Sequence, residues 1–180
     1  MTTPVFNLEK SLQAVLYVAN RLQRRDFHKI FKILYFADRE HLSKYGRPIT
    51  GDTYIAMKDG PVPSKIDDIF KAVRGDSFFA SNAAQYAKLF SVHDWYLIDP
   101  KVDANLDYLS QSDIEELDAS LAEYGHLTWE EIREKSHDFA WRATPKDRPI
   151  DIADIMRETG EDEEYISYIS EDIAIQKALS

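Results

Sequence analysis

The segment between Asp26 and Gly46 constrains the fold more than any other part of the chain. Apolar and aromatic side chains recur in it at helical spacing, and Asp26 and Gly46 are residue types that cap and end helices. The side chains that follow this spacing are those of Phe27, Ile30, Phe31, Leu34, Ala37, His41, Leu42 and Tyr45. We therefore predict a long helix at the centre of the core, with Phe31 and Leu34 fully buried.

Other segments show the same helical periodicity, and most of them begin at a capping residue or end at a glycine. The predicted helices are Asn7–Gln23, Pro63–Arg74, Ser112–Gly125 with a Ser112–Glu115 capping box, Thr128–His137 with a Thr128–Glu131 capping box, Asp151–Gly160 and Asp162–Ala178. Residues 76–83 have the composition of a loop. Helices should therefore make up most of the chain.

Strand character is confined to two regions. Thr53–Met57 is one candidate strand, and the Gly- and Pro-containing stretch after it, up to Pro63, predicts an ordered turn. Tyr86–Val92 and Trp95–Ile98 flank two turn-forming residues and predict a hairpin. The expected fold class is mainly α (α+β): a compact helical domain with a small two- or three-stranded antiparallel β-element.

Charge is unevenly distributed along the 180 residues, whose formal net charge is −10. Residues 1–74 carry 13 basic and 8 acidic residues, residues 75–150 carry 7 and 15, and residues 151–180 carry 2 and 9. We expect one domain over residues 1–150 and an acidic helical C-terminal extension over residues 151–180, packed on or beside it. The net negative charge argues against direct nucleic-acid binding, which requires a cationic surface.

Composition and motifs exclude several classes of function. The chain has no cysteine, so it has neither a thiolate nucleophile nor a cysteine-based zinc site. It contains no Gly-rich phosphate-binding loop, its five histidines lack metal-ligand spacing, and no apolar run is long enough to span a membrane. The N-terminus lacks the pattern of a secretory signal. We expect a cytoplasmic protein without metal, cofactor or membrane anchor.

Two pairs of polar residues are candidates for chemistry. Asp38 and His41 lie three residues apart on the apolar side of the predicted central helix, which favours a buried polar network, with a catalytic pair as the alternative. His137 and Asp138 are adjacent and would suit a general base with its orienting carboxylate, although a histidine at a helix end more often binds a backbone group. No nucleophile motif accompanies either pair. We therefore expect that the protein is not an enzyme.

The acidic C-terminal extension is the predicted partner-binding surface. It combines aromatic anchors with charge that would steer a basic partner. The residues concerned are Glu163, Glu164, Tyr165, Ile166, Tyr168 and Ile169. The alternative is intramolecular, because a terminal helix with an apolar stripe commonly packs on its own domain, here on the basic N-terminal part.

Several motifs occur in an order that resembles one family. The segment Lys32–Ala37 reads K-I-L-Y-F-A, and it is followed by Tyr45-Gly46-Arg47-Pro48-Ile49 and by Gly60-Pro61-Val62-Pro63. Ser136-His137 and Trp141 follow downstream. Within these motifs, Tyr35 and Phe36 stand at the aromatic positions. Taken together, the motifs resemble the Panacea domain of the SocA-like antitoxin family, also described as phage-associated GepA-like proteins, over roughly residues 8–145.

The resemblance implies a mostly helical domain and an antitoxin that neutralises a toxin encoded by the adjacent gene through direct protein contact. The family is paired with many unrelated toxins, so the resemblance does not name the partner. One relative is a proteolytic adaptor that delivers its toxin to a AAA+ protease, which is the first alternative. An uncharacterised enzyme using an Asp/His site is the second.

Overall fold

The computed structural model describes residues 3–76 and 80–180, and helices dominate them. The helices are α1 Leu8–Arg21, α2 Phe27–Tyr45, α3 Ser64–Arg74, α4 Ala83–Tyr86, α5 Gln111–Tyr124, α6 Trp129–Ser136, α7 Phe139–Ala143, α8 Ile152–Glu158 and α9 Glu163–Leu179. The strands are β1 Tyr54–Met57, β2 Gly60–Pro63, β3 Phe90–His93 and β4 Leu97–Pro100. The predicted class, mainly α with a small antiparallel β-element, is confirmed.

Helix α2 lies at the centre of the core, as its sequence predicts. Asp26 caps it through the Lys29 amide at 2.8 Å, and Gly46 ends it in the left-handed conformation, with φ of 70°. Every residue from Ile30 to Asp38 is buried, so the helix is enclosed on all sides. Phe31 and Leu34 are 4% and 1% exposed, which confirms the prediction for both. Helices α1, α5, α6 and α8 and strand β2 pack around it.

The segment Gly60–Pro63 is a strand, and the prediction of a turn is wrong there. It pairs antiparallel with β1, in a register that sets Tyr54 against Pro63 and Met57 against Gly60. Because the two prolines alternate along β2, the missing N–H groups of both can face away from β1. The prolines are therefore compatible with pairing, and the reversal itself is only the two residues between the strands.

The other edge of β1 is covered by the chain that follows α7. The Ala56 amide donates to the Arg148 carbonyl at 2.9 Å, and the Ile150 amide donates to the Tyr54 carbonyl at 2.8 Å. Strands β3 and β4 form a separate two-stranded sheet, so the predicted hairpin is confirmed but it does not extend the β1 sheet. The hairpin strand begins at Phe90 instead of Tyr86, which belongs to α4.

Two local predictions need further comment. Helix α5 begins earlier than expected, since its capping box joins Ser110 to Asp113 instead of Ser112 to Glu115. The sequence fits the pattern at both places, and Ser112 is used instead by a contact with α2 described below. Of the predicted loop 76–83, residues 77–79 lie outside the described part of the chain, and Ala80–Asn82 form a 3₁₀ turn.

The C-terminal extension packs against the end of α2. Ile166, Ile169 and Ile173 of α9 are 2%, 5% and 3% exposed. The Tyr165 hydroxyl donates to the Ser43 carbonyl at 3.1 Å. A side chain at Gly46 would collide with Ile169, so the glycine allows close approach of the two helices as well as ending α2.

Candidate functional site

The most unusual buried group is the Lys32 ammonium in the first half of α2. Lys32 is 0% exposed, and its Nζ donates to the Pro61 carbonyl at 2.9 Å. Gly60 lies against the lysine stem and Ser136, leaving no room for a side chain. Burial lowers the pKa of Lys32 to about 7, and the Asp59 and Asp26 carboxylates offset this only in part. The buried Lys32 amine thus joins strand β2 to α2.

A second buried contact joins α2 to α7. The Tyr35 hydroxyl donates to Asp138 Oδ2 at 2.8 Å, and Arg39 donates to the same oxygen at 3.1 Å. The other carboxylate oxygen accepts the Trp141 amide at 3.0 Å and so caps α7. Burial raises the pKa of Tyr35 well above its usual range. The carboxylate therefore orders a helix start and a core tyrosine together.

Asp38 forms a network with the loop before β1. It accepts hydrogen bonds from the Ile49 and Thr50 amides at 2.7 and 3.0 Å and from the Thr50 and Tyr54 hydroxyls, both at 2.6 Å. Burial raises the pKa of Asp38, against the effect of these donors. Asp52, in the same loop, accepts the Ile66 amide at the start of α3 at 2.9 Å, and burial raises its pKa to about 6.

His41 belongs to a different network from Asp38. Its Nε2 lies 2.9 Å from Ser112 Oγ and 3.2 Å from Asp113 Oδ1, and its Nδ1 lies 2.6 Å from the Arg47 carbonyl. Burial lowers the pKa of His41. Both predicted polar residues are therefore buried and hydrogen-bonded, but they tie α2 to separate elements and do not form one catalytic pair.

His137 and Asp138 do not combine into a general base. The Asp138 carboxylate is occupied by Tyr35, Arg39 and the α7 start, as described above. The His137 ring instead stacks on Trp141, with ring centroids 3.7 Å apart. The Trp141 indole N–H donates to the Met57 carbonyl at 2.8 Å. Both motif residues thus fix α7 against the end of β1.

The remaining motif residues are mostly structural as well. The Phe36 ring stacks on Tyr124 with centroids 3.9 Å apart, and Tyr45 lies against His41 at 4.6 Å. Arg47 pairs with Asp113 at 3.2 Å. The others, Pro48, Pro61, Val62 and Pro63, are buried or half-buried. Most polar groups of the motif residues are thus satisfied inside the domain, whereas His137 Nε2 is buried without a hydrogen-bond partner among the described residues.

The C-terminal residues predicted to bind a partner fall into two groups. Ile166 and Ile169 are buried against the domain, so they are not accessible to a partner in this arrangement of α9, and their role in partner binding stays a prediction. Tyr165 is half-buried and hydrogen-bonded to α2, and Glu163 pairs with Arg157 at 2.7 Å. Tyr168 is 67% exposed, and Glu164 is exposed. Only part of the predicted surface is therefore available.

An open groove of about 480 Å³ lies between the end of β1 and α7. Its lining residues are Ala56, Met57, Lys58, Trp141, Arg142, Thr144 and Lys146. We call it the β1–α7 groove. Trp141 and Met57, which are joined by the hydrogen bond described above, both line it, so a motif residue helps to shape the groove.

Within the described residues, no group of three or more His, Asp or Glu side chains is placed to hold a metal ion. No helix in the same part of the chain is long and apolar enough to cross a membrane.

Three residues of these buried contacts were not predicted as such: Lys32, which is named only as the first residue of a family motif, Arg39 and Asp52. A usable signal was present for Lys32, because it is the single basic residue within the otherwise apolar run from Ile30 to Ala37. Nothing local distinguishes Arg39 or Asp52 from surface residues, since their partners are 99 and 13–14 positions away in the sequence.

The fold and its motif residues define a helical domain with one enclosed helix, α2. Buried polar contacts join α2 to the β1–β2 hairpin and to the start of α7, where Trp141 stacks on His137. Residues 30–142 match the family model described as Antitoxin SocA-like, Panacea domain. This covers more than half of the chain, which therefore belongs to the SocA-like, Panacea-domain antitoxin family. No curated protein and no solved structure gives a significant match.

Proposed function

We propose that this protein is an antitoxin that neutralises a toxin protein, encoded by the adjacent gene, by binding it directly. Membership of the SocA-like, Panacea-domain family carries the proposal. The placement of the motif residues supports it, because Lys32, Tyr35, Asp38 and His41 are buried and bonded within the domain. These residues therefore stabilise the fold, and toxin binding is left to residues on the surface of the domain.

A scaffold of this kind suits stoichiometric binding. Asp38, His41 and Asp138 have their polar atoms committed to structural hydrogen bonds. His137 is held by stacking on Trp141, and its Nε2 is buried without a hydrogen-bond partner or a paired carboxylate in the described part of the chain, so neither Asp/His pair supports catalysis. We propose a non-enzymatic role, in which one antitoxin is consumed for each toxin held inactive.

The test is co-expression with the adjacent gene under separate promoters. Expected results are growth arrest from the adjacent gene alone, rescue when this protein is present, and co-purification of the two proteins in a fixed stoichiometric complex. Absence of both rescue and complex refutes the proposal.

Two other outcomes point to the alternatives. Rescue at a large molar excess of toxin would indicate an enzyme. Rescue accompanied by a shortened toxin half-life that depends on a host protease would indicate an adaptor.

A further inference from the structure

The rim of the β1–α7 groove is cationic. Lys58, Arg142 and Lys146 line it, all three are exposed, and none makes an ion pair within the described part of the chain. Of the adjacent acids, Asp59 pairs with Arg133 at 2.9 Å, and Asp147 is one charge against three. This sign is opposite to the net charge of −10.

The floor of the groove is apolar and held in place. The Trp141 ring is fixed on one side by stacking on His137 and at its edge by the hydrogen bond to the Met57 carbonyl. Met57 itself is 40% exposed. An aromatic anchor that is already ordered loses little conformational entropy on binding, which is a property of interface hot spots.

Among the described residues, the two most exposed aromatic side chains, Trp95 and Tyr168, lack this combination. Trp95 at the β3–β4 turn is 72% exposed, but Arg74, whose guanidinium lies over its ring, is also paired with Asp76 at 3.8 Å. Tyr168 lies on the acidic helix α9 and does not line the β1–α7 groove. Unpaired positive charge and a fixed aromatic floor coincide at the β1–α7 groove.

We propose that the β1–α7 groove binds an acidic segment of the toxin, with Asp or Glu carboxylates on Lys58, Arg142 and Lys146 and an apolar side chain on Trp141 and Met57. This inference rests on the proposed function. A short protein segment fits better than nucleic acid, because the net charge of −10 of the whole chain would repel a long polyanion. The volume of about 480 Å³ accommodates a few side chains.

The experiment measures the Kd of the purified protein encoded by the adjacent gene for wild type, Arg142→Glu and Lys146→Glu. Lys88→Glu is the matched control, since it makes the same charge change at an exposed lysine away from the groove. We expect each groove variant to weaken binding about tenfold or more, with a reduced salt dependence, and the control to change it less than about twofold. All substitutions are at exposed positions, and thermal melting verifies that each variant is folded.

The possible failures are distinguishable. If wild type binds and both groove variants bind equally well, the groove assignment is refuted and the antitoxin proposal stands. If wild type does not bind at all, the proposed function is refuted, and this inference with it. If nuclease treatment dissolves the complex, the groove holds nucleic acid and the assignment to a protein segment is wrong.

Discussion

The buried Lys32 makes a quantitative prediction about stability and pH. In the unfolded chain its pKa has the ordinary value of 10.5, whereas burial in the folded protein lowers the pKa to about 7. Between these values the unfolded state binds one proton more than the folded state. Stability must therefore rise with pH across this window.

A difference of one bound proton between the two states changes the free energy of unfolding by about 1.36 kcal/mol per pH unit. The free energy of unfolding of wild type should therefore rise by about 3 kcal/mol between about pH 7, where the folded-state amine is half protonated, and about pH 9.5. Lys32→Met keeps an unbranched side chain of similar length and removes the proton. It also leaves the Pro61 carbonyl without its donor, which costs about 1–3 kcal/mol at either pH.

The assay is urea unfolding of wild type and Lys32→Met at both pH values. The free energy of unfolding of the variant is subtracted from that of wild type, which cancels the contribution of groups that titrate in both proteins. This difference should be larger by about 3 kcal/mol, in favour of wild type, at the higher pH. Lys88→Met serves as the control, because Lys88 is exposed, and should show no such growth. A wild-type minus Lys32→Met difference that stays constant within about 0.5 kcal/mol would refute the reasoning.

Three further predictions concern the scaffold. Leu34→Ala should lower the free energy of urea unfolding by about 2–5 kcal/mol, since Leu34 is 1% exposed, and a loss below about 0.5 kcal/mol would contradict its placement in the core. Gly60→Ala should lower the free energy of unfolding by about 2 kcal/mol or more, because φ is +109° and the new Cβ would overlap Ser136. Gly160→Ala is the control, because φ is +84° there but the space is open, and it should lower the free energy of unfolding by only about 1–2 kcal/mol. Equal losses for the two variants would argue against the overlap. Deleting residues 161–180 should lower the melting temperature, because three buried isoleucines lose their contacts; an unchanged value would show that α9 is not part of the core.

Local sequence determines the longer helices of this protein, whereas the short helices α4 and α7 were not predicted. The caps at Asn7, Asp26 and Thr128 and the stop at Gly46 act within one turn of the chain, so the residues that encode them are adjacent in sequence. The burial of Phe31 and Leu34 follows from periodicity alone, for the same reason. The family motifs are also short and contiguous, so the resemblance to the family can be recognised from the sequence alone.

Tertiary structure decides the contacts between elements. Gly60–Pro63 becomes a strand because β1 and α2 enclose it, although its composition predicts a turn. Asp38 and His41 separate into two networks because their partners are contributed by the loop before β1 and by α5. Ile166 and Ile169 are used inside the domain because Gly46 lets α9 approach α2.

The β1–α7 groove likewise exists only in three dimensions. Lys58 and Arg142 are 84 residues apart, the same separation that the Trp141–Met57 hydrogen bond spans. No periodicity or spacing rule relates residues so distant in the chain, since the register between them is set by the packing of every intervening element. Individual helices and their caps can thus be derived from neighbouring residues, whereas a surface shared by β1 and α7 depends on the whole fold.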